Sequence, residues 1–191
     1  MDIWSIALIL FYAFNLFNYD KYIPKLYRDA WLENCDKKII ELFNDDSKIE
    51  EKVKAGLYIY GSCGTGKTFA LYSIFRNCKF FRMNCRIINT VELLRLFKKD
   101  FNNPRENNFE DYLDFGGILF IDDIGAEKNS EFVDETLYHL INSRNEQMLP
   151  TFFTSNLSIK ELAEKNGDRI ASRIVEMCKI IELKGDDKRI K

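Results

Sequence analysis

No excess of positive charge marks this sequence. Its 28 Lys and Arg are set against 30 Asp and Glu, a formal net charge of −2 with a pI of about 5.6. Nothing global therefore draws the chain to nucleic acid or to an anionic membrane, and any such surface has to be local. Cysteine pairs at ligand spacing are missing too. Cys35, Cys63, Cys78, Cys85 and Cys178 include no CxxC, and together with His139 they form no metal-ligand grouping. Reduced thiols in a cytoplasmic protein are the expectation. The sequence holds no internal repeat and no low-complexity stretch. Its longest apolar run, Ile3 to Phe17, is interrupted only by Ser5 and Asn15. A helix of that length, at about 1.5 Å per residue, falls short of the roughly 20 residues that cross a bilayer. Asp2 also stands where a signal peptide carries basic residues. Three readings stay open for the run: a helix packed on the domain, a helix packed on a partner protein, and membrane contact by residues 3–17.

What is present suffices for one well-buried domain: 191 residues, 46% hydrophobic and 30% charged. Its strongest local signal is Gly61-Ser62-Cys63-Gly64-Thr65-Gly66-Lys67-Thr68, between the apolar run Leu57 to Tyr60 and a helix-compatible run that opens at Phe69. This is the G-x-x-x-x-G-K-[ST] phosphate loop, or Walker A motif, in its strand-to-helix context. Glycines let successive backbone N–H groups turn inward as a nest for a polyphosphate, and the helix N-terminus adds its own partial positive charge. Residues 61 to 69 are thus the expected ATP contacts. Lys67 reaches the β- and γ-phosphates, and the Thr68 hydroxyl is a ligand for Mg²⁺. A disulfide at Cys63 would obstruct the nucleotide, which again favours reduced thiols.

About 55 residues after that lysine, Gly117-Ile-Leu-Phe-Ile121 runs into Asp122-Asp123. A short continuous apolar run ending in acids reads as a buried parallel strand that delivers them at its C-terminal edge, the Walker B pattern. Asp122 is expected to hold Mg²⁺ opposite Thr68, and Asp123 to orient or deprotonate the attacking water. Strands are also expected at Cys85 to Ile88, Thr151 to Thr154 and Lys179 to Leu183. Helices are expected at Asp29 to Phe43, from a Thr90 cap onward, over Ser130 to Met148, from the Ser158-x-x-Glu161 capping box to Gly167, and over Arg169 to Met177. Asn44 to Lys54 reads as a solvated connection, and Pro104 closes a segment. Strands alternating with helices imply an α/β fold, a parallel sheet between helices. The ATP-binding domain is placed at residues 21–191, after an apolar segment at 1–20.

One stretch offers a local basic surface. From Arg76 to Arg105, eight basic residues (Arg76, Lys79, Arg82, Arg86, Arg95, Lys98, Lys99, Arg105) face only Glu92 and Asp100, with Phe80, Phe81, Phe97 and Phe101 between them. Such a composition suits a groove that tracks the phosphates of DNA, single-stranded above all, and stacks its bases. The alternative is that the phenylalanines are core and the charges solvate helix backs.

Beyond these motifs the chain resembles the DnaC/IstB branch of AAA+ ATPases. The resemblance runs over about residues 22 to 190 and rests on a combination of features. These are Ile23-Pro-Lys-Leu-Tyr-Arg-Asp-Ala30, the phosphate loop, Leu119 to Glu127, the helix with Arg144, Phe153-Thr-Ser-Asn156, Gly167-Asp-Arg169-Ile-Ala-Ser-Arg173-Ile, and Gly185-Asp-Asp-Lys-Arg189. It implies a P-loop AAA+ core with a five-stranded parallel sheet and no C-terminal helical lid. It also implies that Asn156 is the sensor of the γ-phosphate, and that Arg173, ahead of Arg169, is an arginine finger entering a neighbouring subunit's ATP. A finger acting in trans requires a homo-oligomer. The residue-level alternative is that the two arginines pair locally with Glu176 or Asp168. Helicase loading in DNA replication, with a replicative helicase as client, is the function the branch implies, and helping a transposase is the second. A P-loop phosphotransferase or an ATP-controlled adaptor would use the same loop. DnaC-type loaders carry a separate N-terminal domain where this sequence has about twenty largely apolar residues. Asp123 stands where many AAA+ proteins have Glu, one methylene longer, and slow hydrolysis is the expectation.

Overall fold

The structure is a computed structural model and describes residues 20–43, 45, 48–103, 108–128 and 130–189. Five strands form one sheet in the order β2-β3-β4-β1-β5, with every pairing parallel. They are β1 (Leu57–Tyr60), β2 (Cys85–Asn89), β3 (Ile118–Asp122), β4 (Thr151–Ser155) and β5 (Lys179–Glu182). β1, β3 and β4 are interior strands, and β4 is buried at every position. This explains why β1 and β3 carry continuous apolar runs rather than alternations, while the buried polar residues of β4, Thr151, Thr154 and Ser155, are each hydrogen-bonded.

Helices cover both faces. On one side α1 (Lys37–Phe43), α2 (Ile49–Lys54) and α3 (Lys67–Phe80) close a core built on Ile39, Val53, Leu71, Ile74, Phe75 and Phe120. The other side carries α4 (Thr90–Asn102), the short α5 (Glu110–Leu113), α6 (Glu131–Glu146), α7 (Ile159–Asn166) and α8 (Asp168–Met177). They meet over Leu93, Leu119, Leu137, Leu140, Phe153 and Ile174. Helices α7 and α8 meet at Gly167, whose φ of +95° lies in the region that favours glycine, and the Ser158–Glu161 capping box is formed. No helix follows β5 among the described residues.

Three sequence expectations need correction. Asp29 to Phe43 is not one helix. A 3-10 turn at Leu32–Asn34 is separated from α1 by extended Cys35, and Asp36 accepts from the Lys38 N–H at 3.0 Å. The cause is tertiary: the buried Arg76 guanidinium donates to Arg28 O at 2.7 Å and lies 4.0 Å over the Trp31 ring, which holds the chain in that bent path. Within Asn44 to Lys54, Ile49 and Val53 are one helical turn apart and both buried, so α2 is a packed helix rather than a solvated connection. Asn89 caps α4, its side chain accepting from Val91 N at 2.9 Å, while Thr90 is the first helical residue and its hydroxyl donates to Asp122 O at 3.0 Å.

Among the described residues no helix is long and apolar enough to cross a membrane. Ile3 to Phe17, Pro104 and Arg105 lie outside them.

Candidate nucleotide-binding site

The strand order sets the site. β4 lies between β3 and β1, so the acids at the end of β3, the Thr154-Ser155-Asn156 end of β4 and the phosphate loop after β1 emerge side by side at the C-terminal edge of the sheet. That edge is where open α/β sheets take ligands. The loop needs glycine at Gly64, with φ of +78°, because a β-carbon there would collide with the Asp187 carboxylate. Gly66, at φ +96°, turns the chain into α3.

Lys67 is buried, and its ammonium donates to Gly61 O at 2.9 Å and Ser62 O at 2.7 Å, so the cation already spans the loop it belongs to. Burial lowers its pKa, while nearby Cys63, Asp123 and Asp122 act in the opposite direction. Across the cleft, Thr68 Oγ1 donates to Asp122 Oδ1 at 3.1 Å, and Thr154 Oγ1 donates to the same oxygen at 2.5 Å. Burial pushes the Asp122 carboxyl up, and these two hydroxyls pull it back toward the ionised form. Asp123 has φ of +62°, an uncommon conformation for a residue other than glycine. Its N–H donates to Thr154 Oγ1 at 2.8 Å, and its Oδ1 accepts from Asn156 Nδ2 at 3.3 Å. Cys63 is exposed, with its thiol 3.8 Å from Asn156 Oδ1.

Residues 61 to 69, Asp122, Asp123 and Asn156 therefore converge, as their motifs imply. The Thr68 hydroxyl and the Asp122 carboxylate are hard oxygen donors within 3.1 Å of each other, a pair that fits Mg²⁺ held jointly with phosphate oxygens. No cluster of three or more His, Cys, Asp or Glu able to hold a metal by itself occurs among the described residues.

A cleft of about 400 Å³ opens beside the loop, lined by Leu26, Tyr27, Cys35, Thr65 to Phe69, Lys188 and Arg189. Sequence reasoning assigned no role to Tyr27, Lys188 or Arg189. The tail returns over the loop after β5: Lys188 N donates to Gly64 O at 3.1 Å, and Arg189 grips Asp187 at 2.7 and 2.9 Å. That grip holds the Asp187 carboxyl down at about 2. The only signal for these residues was their place in family-like segments. A roomier cleft, about 500 Å³ around Met148, Glu176 and Met177, lies at the other end of the strands and holds none of the predicted site residues.

Arg173 is not brought to this site within its own chain. On α8 it donates to Asn142 Oδ1 at 3.0 Å and to Glu176 Oε2 at 2.8 Å, the local pairing foreseen as an alternative, and Glu176 raises its pKa. Arg169 lies 4.0 Å over the Tyr138 ring. Both arginines line a separate shallow cleft with Tyr138, Asp168 and Ser172.

Within the basic stretch Arg105 lies outside the described residues, and three of the other arginines are held locally. Arg76 is buried in the core as described, Arg86 donates to Asp111 O at 2.6 Å and lies over Phe115, and Arg95 makes a two-pronged pair with Glu92. Phe97 packs on Phe109 and Phe132, so these members follow the structural alternative. Phe101 differs, being 75% exposed, and Lys98 Nζ lies 5.7 Å from the Phe132 ring centre.

Comparison with known proteins agrees with this geometry. The bacterial DnaA ATPase-domain family matches residues 43–180. The replicative helicase loader DnaI of Bacillus subtilis (strain 168) is 33% identical over 150 residues, 70% of this chain and 47% of that protein. The chain belongs to the DnaC-like AAA+ ATPases. It spans about half the length of the curated relatives it matches. Among solved structures, DnaI superimposes with a TM-score of 0.70 at 28% identity, covering 88% of this chain and 95% of that one. The DnaC helicase loader gives 0.73 at 22% identity, over 84% and 100%. DnaA bound to AMPPCP and single-stranded DNA gives 0.70 at 19% identity, over 87% and 52%. The last two share the AAA+ fold, and the family membership accounts for the P-loop sheet and its strand order.

Proposed function

We propose that this AAA+ domain, residues 21–191, binds ATP with Mg²⁺, hydrolyses it slowly, and assembles on DNA to load or position a client protein, a replicative helicase, in DNA replication. The observation that carries the reading is the junction of Lys67, Thr68, Asp122, Asp123 and Asn156 at one sheet edge. The name of its relative, a replicative helicase loader, supports the choice of client.

In this mechanism Lys67 exchanges its contacts with Gly61 O and Ser62 O for the β- and γ-phosphate oxygens. Thr68 and Asp122 would hold Mg²⁺, which would supply neutralisation of the phosphate charge. Asp123 accepts a proton from, or orients, the attacking water, and Asn156 holds Asp123 in place while its amide faces the γ-phosphate. Arg173 acts from a second copy of the chain, leaving Glu176 to stabilise charge on the transferred phosphoryl group. Assembly and turnover are thereby linked.

ATP turnover measured with and without single-stranded DNA over a range of protein concentrations tests this. Specific activity that rises with concentration and responds to DNA is expected. Flat activity indifferent to DNA would instead assign a monomeric phosphotransferase or a passive ATP-binding adaptor.

A further inference from the structure

The two acids at the end of β3, Asp122 its last residue and Asp123 the next, do not hold themselves. Asp123 sits in a left-handed backbone conformation at φ +62°, a turn with a steric cost for a residue other than glycine, and among the described residues its side chain accepts only a 3.3 Å hydrogen bond from Asn156. The adjacent strand supplies the restraints. Asp123 N donates to Thr154 Oγ1 at 2.8 Å, Ile124 N donates to Thr154 O at 2.8 Å, and Ser155 Oγ donates to Ile124 O at 2.6 Å. Thr154 is 1% exposed, so no water competes for these bonds. Its one hydroxyl has a second task, since the proton not used toward Asp123 is given to Asp122 Oδ1. Thr68 donates to that same oxygen. Both donors on Oδ1 leave Asp122 Oδ2 as the oxygen able to face a cation, while Thr68 keeps a lone pair for it.

We propose that Thr154 is the positioning residue of the acid pair: through a single hydroxyl it braces the Asp123 turn and aims the free oxygen of Asp122 at the magnesium of the bound nucleotide. The inference rests on the ATP-binding reading above and extends it to a side chain that does not line the cleft beside the phosphate loop. Threonine suits the position better than its neighbours in size. Valine keeps the shape and loses both bonds; serine keeps both bonds and loses a methyl.

The test uses the full chain with ATP as probe, its affinity measured in EDTA and again in magnesium, alongside hydrogen exchange of the Asp123 amide. Thr154→Val is expected to leave affinity in EDTA within about twofold, because the loop and Lys67 are untouched. The gain on adding magnesium should fall by about tenfold or more, as when other residues that orient metal ligands are removed. The Asp123 amide should exchange faster while the β3 amides stay protected, and Thr154→Ser should restore both properties. A valine variant with the full magnesium gain would overturn the proposal, whatever its exchange rate, and so would a serine variant as defective as valine. Thr154→Val that melts far below wild type leaves the serine variant and the exchange pattern of the folded fraction to decide. Wild-type protein whose ATP affinity does not change with magnesium would sink the nucleotide reading itself, and the proposal with it, a result distinct from wild type that gains and a valine variant that gains equally.

Discussion

Thr68 Oγ1 lies 3.1 Å from Asp122 Oδ1, joining the first turn of α3 to the end of β3 across 54 residues of sequence. The contact separates two kinds of loss. Thr68→Ala is expected to keep ATP affinity in EDTA and to lose most of the magnesium gain. Lys67→Ala should weaken binding in both conditions by about tenfold or more, since a charge-assisted hydrogen bond contributes roughly 1.5–3 kcal/mol. Calorimetric titration distinguishes them, and unchanged affinity in Lys67→Ala would refute the phosphate-loop assignment.

Arg173 is paired with Glu176 and Asn142 and lines a cleft that shares no residue with the one beside its own phosphate loop, so a contribution to turnover should come from another subunit. Arg173→Ala alone should cut turnover by about a thousandfold or more if it is a finger. Mixing it with Asp123→Asn subunits should restore part of the activity, because some interfaces then join an intact finger to an intact site. Activity of the mixture no higher than that of either variant would assign Arg173 to its local pairing with Glu176.

For DNA, the end of α4 offers a direct test of the proposed contact, since Lys98 and Lys99 are exposed there beside Phe101, itself 75% exposed. Replacing both lysines by alanine should lower the salt slope of DNA binding by about 2, one for each lysine that no longer meets a phosphate. Fluorescence anisotropy over a series of salt concentrations reads this slope directly. An unaltered slope would make those lysines solvating charges only.

Thiol chemistry offers an independent check on the site. Burial pushes the Cys78, Cys85 and Cys178 thiols up, Cys85 to about 11, so they stay protonated and unreactive near neutral pH, whereas Cys63 is exposed in the loop. N-ethylmaleimide should therefore label Cys63 before these three, and ATP should slow that labelling. Peptide mass mapping after timed quenching would show it; equal labelling of Cys78 would mean that the core between α3 and β2 opens.

Arg144 is fully buried and donates to Thr151 Oγ1, Phe115 O, Gly117 O and Pro150 O at 2.7 to 3.0 Å. It ties α6 to the starts of β3 and β4. Arg144→Met would leave those acceptors unsatisfied, for an expected loss of about 3 kcal/mol or more. For a domain of this size that corresponds to a fall in Tm of roughly 6–12 °C. A variant melting within a degree or two of wild type would show that water or neighbouring groups replace the guanidinium.

The phosphate loop was legible because its information is local: glycine spacing, a preceding apolar run and a following helix. The Asp122-Asp123 pair was legible for the same reason. Helix ends marked by local chemistry also stood out, as at Ser158 and Glu161. Asp29 to Phe43 was misjudged because its apolar spacing is helical, whereas the deciding bond, Arg76 to Arg28 O, joins residues 48 apart. The same cation stood in the sequence as one of eight candidates for DNA, and charge counts cannot tell a buried guanidinium from a solvated one. Tyr27 and the Lys188–Arg189 tail reach the cleft only because β5 pairs with β1 and delivers the chain back over the loop.

By itself, then, the sequence determined the parallel α/β architecture, the phosphate loop and the position of the acid pair, since strand runs and loop chemistry are set by residues within a few positions of one another; Asn156 is singled out only by the family resemblance. Tertiary structure alone decided which arginines are buried, that Arg173 lies outside its own site, and that the hydroxyl of Thr154 serves both acids. Those outcomes depend on the β3-β4-β1 order and on the loss of water between elements distant in the chain, which no local pattern encodes.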